Sequence, residues 1–214
     1  MNSHIIFDLD GTLIDSKPEI QDAFRKTFSE VPASFVIALD AINFGATLNS
    51  VLESVYEGDT GLILKAKKKF SEIYDSSTYE KTLLYPHVGD TLENLDEMGY
   101  NMYIATNKRM VPTLKILEKK NILHRFKTIK ASDMVPGETI SKQKMIEQIC
   151  AENKIQQGYM IGDTAQDIQA GNAAKLITIA ATYGYETQEL LRKENPTFAI
   201  NSFLEIIDIV NSKS

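Results

Sequence analysis

The chain has 214 residues, 43% hydrophobic and 24% charged, with 23 basic against 29 acidic side chains and a net charge of −6. That length suits one large domain or two small ones with a proper core, and an acidic balance without a long basic run disfavours nucleic acid as the main partner. A single cysteine, Cys150, excludes an intramolecular disulfide and a multi-cysteine zinc site, and no apolar run approaches the roughly 18 residues that cross a membrane, so a soluble, cytoplasmic protein is expected.

The first element is the short apolar run Ile5-Ile6-Phe7, the pattern of a strand buried on both faces of a parallel sheet. It exits into Asp8-Leu9-Asp10-Gly11-Thr12. In extended chain, residues two apart point to one side, so Asp8 and Asp10 are expected to converge on one small volume. Two carboxylates that close repel each other unless a proton or a cation holds them together. Asp15-Ser16-Lys17-Pro18-Glu19 then opens a helix, with Ser16 and Glu19 at capping-box spacing and Pro18 in the first turn. Ile20, Ala23, Phe24, Thr27, Phe28 and Val31 continue it near helical period.

Up to about residue 81 the chain stays helical in pattern, over roughly 33–40, 47–57 and 61–74, with loop signals at 43–45, 57–59 and 75–77. The lysines of Lys65-Ala66-Lys67-Lys68-Lys69 read as a solvated helix face. An all-helical block at this point implies an insertion between the first strand and the next strand–helix unit.

After Tyr85-Pro86, alternation resumes. Asp90 and Glu93 have capping-box spacing, and Leu92, Leu95 and Met98 carry a helix ended by Gly99. Strands are predicted over 100–105, 126–131, 158–162 and 176–181, with an edge strand at 197–200. Helices are predicted over 110–120, 142–153, 165–173, 187–194 and 202–210. Such alternation predicts an α/β fold, a doubly wound parallel sheet with helices on both faces.

Polar residues gather at the strand exits, where open α/β sheets bind ligands. Thr106, Asn107 and Lys108 end one strand, offering a hydroxyl, an amide and a cation. Ser141 is a plausible N-cap, and Lys142 follows it directly, ahead of Met145-Ile146; for Lys144 a surface position is the better reading. Gly162 leads to Asp163 and, four residues on, Asp167 on an opening helical turn. Cys150 falls on the apolar stripe of Met145, Ile146 and Ile149, and His4, His87 and His124 are scattered. Asp8, Asp10, Asp163 and Asp167 together bring −4 and Lys142 returns +1. A cluster of that charge calls for a divalent cation, and oxygen ligands without a His/Cys cluster favour Mg²⁺ over zinc.

The Asp8-x-Asp10-Gly11-Thr12 string, followed by Leu13, Ile14 and Asp15, resembles the first motif of the haloacid dehalogenase-like hydrolases, and the chain looks most like their phosphoglycolate phosphatase-type branch. Thr106 matches the hydroxyl of the second motif, and Thr106-Asn107-Lys108 a string frequent in the branch. Asp163 and Asp167 are similar to the fourth motif, and Thr182-Tyr183-Gly184-Tyr185 to the segment after the last core strands. Lys142 fits the family lysine, although the Lys-Pro string common in the branch is absent. The likeness runs from Ile5 to about Leu204.

This resemblance implies a Rossmann-like catalytic core formed by residues 1–15 and 83–214, with a helical cap over 16–82. It implies a Mg²⁺-dependent phosphatase that hydrolyses a small phosphorylated metabolite through an aspartyl-phosphate. Asp8 would be the nucleophile and Asp10 the general acid and base. Mg²⁺ would be held by Asp8, Asp163 and the backbone carbonyl of Asp10. Thr106 and Lys142 would grip the phosphoryl group with Asn107, while Asp167 and Lys108 support the site. A phosphomutase of the same architecture, similar to a β-phosphoglucomutase, is the alternative; a receiver-like phosphorylatable module is more remote, given the length and the insertion. The leaving group stays open among phosphoglycolate, pyrophosphate, a sugar phosphate and a nucleotide, because the cap would select it.

Overall fold

The computed structural model describes residues 4–32, 39 and 42–212. Six strands form one parallel sheet in the order β5-β4-β1-β6-β7-β8. They are β1 (His4–Phe7), β4 (Asn101–Thr106), β5 (Phe126–Ala131), β6 (Tyr159–Gly162), β7 (Ile177–Ala181) and β8 (Phe198–Ile200). The apolar run of β1 is central because both of its faces are covered. Ile6, Tyr103 and Met160 pack beneath α6 (Lys142–Glu152) and α7 (Ala165–Ala173). The alternate residues Ile5, Phe7, Ile104 and Ile161 face α4 (Val88–Glu97), α5 (Met110–Lys119) and α9 (Glu205–Ser212). Leu191 of α8 (Gln188–Lys193) packs with Ile168 and Ala180. The doubly wound parallel sheet is therefore as the alternation predicts.

Register positions the site. Phe7 is level with Ile104 on one neighbour and Ile161 on the other. From β1 the chain runs outward through β4 and β5, then returns to β6 on the opposite side of β1. Asp8 thus leaves the sheet at its switch point, where two crossovers diverge and open a crevice.

Between β1 and β4 the chain makes an excursion through α1 (Lys17–Glu30), α2 (Leu48–Val55) and α3 (Thr60–Asp75). Phe24 of α1 packs on Phe70 of α3 with ring centroids 4.5 Å apart. The excursion starts and ends in a feature the sequence does not announce: β2 (Ile14–Asp15) pairs antiparallel with β3 (Leu83–Leu84). Two-residue strands are too short to display a period.

Two predicted capping boxes do not form. Ser16 is at the N-cap position of α1 without a side-chain cap bond; its Oγ donates to Asp10 Oδ1 instead. Glu19 accepts from Ser77 Oγ and from Lys81 N–H. In α4 the helix begins before Asp90, after His87 in a left-handed conformation (φ 69°), so Asp90 lies inside the first turn. The last helix starts at Glu205 rather than 202, because the preceding bonds run three residues back, from Glu205, Ile206 and Ile207 N–H to Ser202, Phe203 and Leu204 O. The helix expected over 33–40 falls, Leu39 apart, outside the described residues. Among the described residues, no helix is long and apolar enough to cross a membrane.

Candidate active site

Asp8 is held in place by the sheet. Its N–H donates to Ile161 O at 2.9 Å, so the ladder runs one residue past β1. The side chain is buried and meets Lys142 Nζ at 2.6 Å. Lys142 is the first residue of α6, whose N-cap Ser141 accepts from Lys144 N–H, as its spacing predicts. The Lys142 ammonium also stands 2.8 Å from Asp167 Oδ1 and donates to Ala105 O at 2.9 Å. Lys144 is exposed and faces Glu147, so Lys142 is the lysine at the cluster. Burial alone would lower its pKa, but the Asp167 and Asp8 carboxylates outweigh that and hold it above the ordinary lysine value.

Asp167 is fixed from behind. Thr164, not Asp163, caps α7, and Asp167 Oδ2 accepts from both the N–H (3.0 Å) and the hydroxyl (2.7 Å) of Thr164. That frees Asp163, which accepts from Thr12 Oγ1 at 3.0 Å through Oδ1 and from Tyr185 N–H at 2.8 Å through Oδ2. Glycines make room for it. A Cβ on Gly11, whose φ is +83°, would stand 2.0 Å from Asp163 Oδ2, and one on Gly184 would stand 2.2 Å from Asp163 Cβ.

One carboxylate oxygen each of Asp8, Asp163 and Asp167 lies within 4.8 Å of the others. Burial and then the Asp167 charge push Asp8 up to about 7, against the pull of Lys142. Burial, Asp8 and Asp167 raise Asp163 as well. Three buried carboxylates stand against one ammonium, which pairs with only two of them, so the cluster offers oxygen donors with an excess of negative charge. That donor set fits a hard divalent cation such as Mg²⁺.

Asp10 does not join this cluster through its side chain. Its Oδ1 turns to Lys108 Nζ at 2.9 Å and accepts from Ser16 Oγ. The Lys108 side chain is only 5% exposed, donates to Tyr74 Oη at 3.0 Å and lies over that ring. Thr106 Oγ1 accepts from Lys108 N–H, and its own hydroxyl hydrogen can still be donated. Asn107 points at the insertion, donating to Gly45 O and to Gln166 Oε1.

A cavity of ≈ 70 Å³ opens on Asp8, Asp10, Thr106, Asn107 and Lys108. Its far wall is apolar and comes from the insertion: Ile20, Phe24, Phe44, Leu48, Val51 and Phe70. Sequence reading missed Arg109, Tyr74 and Tyr185, and gave Lys108 only a supporting part. Arg109 grips Asp75 with both amino groups, at 2.9 and 2.5 Å. Nothing local marks Tyr74 or Asp75, because their partners lie 34 residues away. For Tyr185 the resembled Thr182-Tyr183-Gly184-Tyr185 string was the available signal.

The sequence pattern described as haloacid dehalogenase-like hydrolase matches residues 5–181. The chain belongs to the haloacid dehalogenase-like hydrolases. This hydrolase is 30% identical to the phosphoglycolate phosphatase of Psychrobacter arcticus, over 95% of its own length and 94% of the relative's. It is 29% identical to that of Aliivibrio fischeri, over 97% and 96%. A haloacid dehalogenase-like family hydrolase from Streptococcus pneumoniae has a similar structure, with a TM-score of 0.86, 26% identity and coverage of 97% and 98%. The hydrolase therefore sits in the phosphoglycolate phosphatase-type branch and acts on phosphoric monoesters.

Proposed function

We propose that this hydrolase is a Mg²⁺-dependent phosphatase working through an aspartyl-phosphate on Asp8, with residues 1–15 and 83–214 as the catalytic core and 16–82 as a cap that closes over the leaving group. The observation that carries this reading is the buried Lys142 ammonium between Asp8 and Asp167, two acids that cluster with Asp163, together with Asp8 lining the cavity. Asp8, Asp163 and the Asp10 backbone carbonyl would hold the metal, with Asp167 supporting them through Lys142. Bound Mg²⁺ would neutralise the charge that builds on the transferring phosphoryl oxygens.

Asp8 lines the cavity, so one of its oxygens can attack phosphorus while the bond to the leaving oxygen breaks. Lys142 keeps Asp8 oriented and ionised during the attack. Thr106 donates its hydroxyl hydrogen to a phosphoryl oxygen. Asp10, in its protonated form, gives its proton to the departing alkoxide. It then takes a proton from the water that attacks phosphorus, which frees Asp8 and releases inorganic phosphate. The side chain of Asp10 lies apart from the three-acid cluster, as a group that shuttles protons requires.

The cavity supports a small substrate, since one water needs about 10–15 Å³ by the same measure. Lys108 and Arg109 at its polar edge suit an anionic leaving group. The names of the relatives make phosphoglycolate the first candidate. The test is inorganic phosphate release from a panel of phosphomonoesters including phosphoglycolate, with and without Mg²⁺, for wild type and Asp8→Asn. Multiple turnover that needs Mg²⁺ and disappears in the variant is expected. A single labelling of Asp8 that stalls would favour a mutase, and activity surviving in Asp8→Asn would remove the nucleophile.

A further inference from the structure

Tyr185 touches the acid cluster and the entrance to the helical insertion at the same time. Its backbone N–H donates to Asp163 Oδ2 at 2.8 Å. Its hydroxyl accepts from Ser16 N–H at 3.0 Å and donates to Asp15 Oδ1 at 3.2 Å, so both of its hydrogen-bonding roles are used at one turn. Its ring packs near Phe44 on the cavity wall, with centroids 6.0 Å apart.

Ser16 shows why this contact matters. A serine at an N-cap ordinarily spends its hydroxyl on the helix. Here φ is −104° and ψ is 0°, no cap bond is made, and Oγ donates to Asp10 Oδ1. A local rule broken at a site calls for a compensating interaction. The Ser16 N–H bond to Tyr185 supplies one, holding the backbone that aims the hydroxyl.

We propose that Tyr185 is a positioning residue whose hydroxyl clamps the Asp15–Ser16 turn, so that Ser16 holds the Asp10 carboxyl in place for proton transfer. The assignment rests on the reading of Asp10 as the proton donor. It couples the Asp163 loop to the point where the chain leaves the core, through a residue that touches no reacting atom.

Tyr185→Phe keeps the ring and the N–H and removes only the hydroxyl. Amide hydrogen exchange at Ser16 is expected to accelerate about tenfold. With phosphoglycolate, kcat falls about fivefold to tenfold, while KM and Mg²⁺ half-saturation stay unchanged. With p-nitrophenyl phosphate, whose leaving group departs without a proton, kcat/KM changes less than about twofold, because it reports transfer to Asp8 and not the later attack by water that Asp10 also assists. Ser16→Ala shows the same split, and the double variant is no slower than the slower single one. Unchanged exchange at Ser16, equal losses of kcat/KM on both esters, or additive losses would each overturn the clamp. A wild type that hydrolyses neither ester would instead strike the phosphatase reading, and the exchange experiment would still decide whether the clamp exists.

Discussion

Lys142 Nζ stands 2.6 Å from Asp8 Oδ1, and both side chains are almost wholly withdrawn from water. The same ammonium pairs with Asp167 Oδ1 and donates to Ala105 O, so one cation faces two carboxylates and a carbonyl. Lys142→Met leaves two buried carboxylates without their cation, and breaking a buried pair costs about 3–5 kcal/mol. The urea midpoint should fall accordingly, and kcat by at least about a hundredfold. Lys142→Arg should not restore either, because a planar fork cannot reach three acceptors arranged around a point charge. A Met variant as stable as wild type would show that the pairing contributes nothing net.

The raised pKa of Asp8 sets a pH dependence. Burial, then the Asp167 charge, lift it from 3.8 to about 7. An acid with a raised folded-state pKa binds more protons folded than unfolded. Its contribution to stability is therefore full below the unfolded value and is lost as pH rises through about 7. Without metal, the stability of wild type relative to Asp8→Asn should decline between about pH 4 and about pH 7, by at most about 1.4 kcal/mol per pH unit. Mg²⁺ should remove the decline by replacing the proton. Thermal melts of both proteins in chelator, at about pH 5 and about pH 8, test this; a constant gap between them would contradict it.

Arg109 and Asp75 tie the start of α5 to the end of α3 through a two-pronged, partly buried pair. Lys115 and Lys119 extend the contact by donating to the carbonyls of Asp75 and Thr78. A double-mutant cycle with Arg109→Ala and Asp75→Ala should give a coupling of about 1 kcal/mol in unfolding free energy. Amide exchange around residues 74–80 should rise in either single variant. Coupling near zero would make the fork an incidental surface contact.

Gly11 and Gly58 separate crowding from backbone strain, since both have positive φ. Alanine at Gly58 meets nothing within 4 Å, whereas at Gly11 its Cβ would stand 2.0 Å from Asp163 Oδ2. Gly58→Ala should cost about 1 kcal/mol of stability and leave Mg²⁺ half-saturation alone. Gly11→Ala should displace Asp163 and raise that half-saturation about tenfold or more. Titrating phosphate release with Mg²⁺ in the two variants distinguishes the effects; equal half-saturation would mean that Asp163 needs no glycine cradle.

Much of this was legible in the sequence because its signals are local. Short apolar runs ending in Asp8, Thr106 and Asp163 mark strands whose exits carry polar chemistry, and the register brings those exits level. Ser141 identifies Lys142 through an ordinary cap, which the structure contains. Reading failed where a residue serves a distant partner in place of its own element. Ser16 and Glu19 have the spacing of a capping box, but one turns to Asp10 and the other to Ser77 and Lys81. Lys108 resembles a turn lysine until Tyr74, from an element 34 residues earlier, covers it beside Asp10. No spacing rule reaches that far along a chain.

The β2–β3 ribbon has a further meaning. Asp15 and Leu83 are direct partners, so 67 residues of chain depart and return at neighbouring points, about 5 Å apart as paired strands require. To the sheet, those residues are equivalent to a tight hairpin. Because its two ends meet there, the excursion can change in length without moving a strand of the six-stranded sheet, provided the splice keeps two backbones side by side and Ser16 and Tyr74 keep their contacts to Asp10 and Lys108.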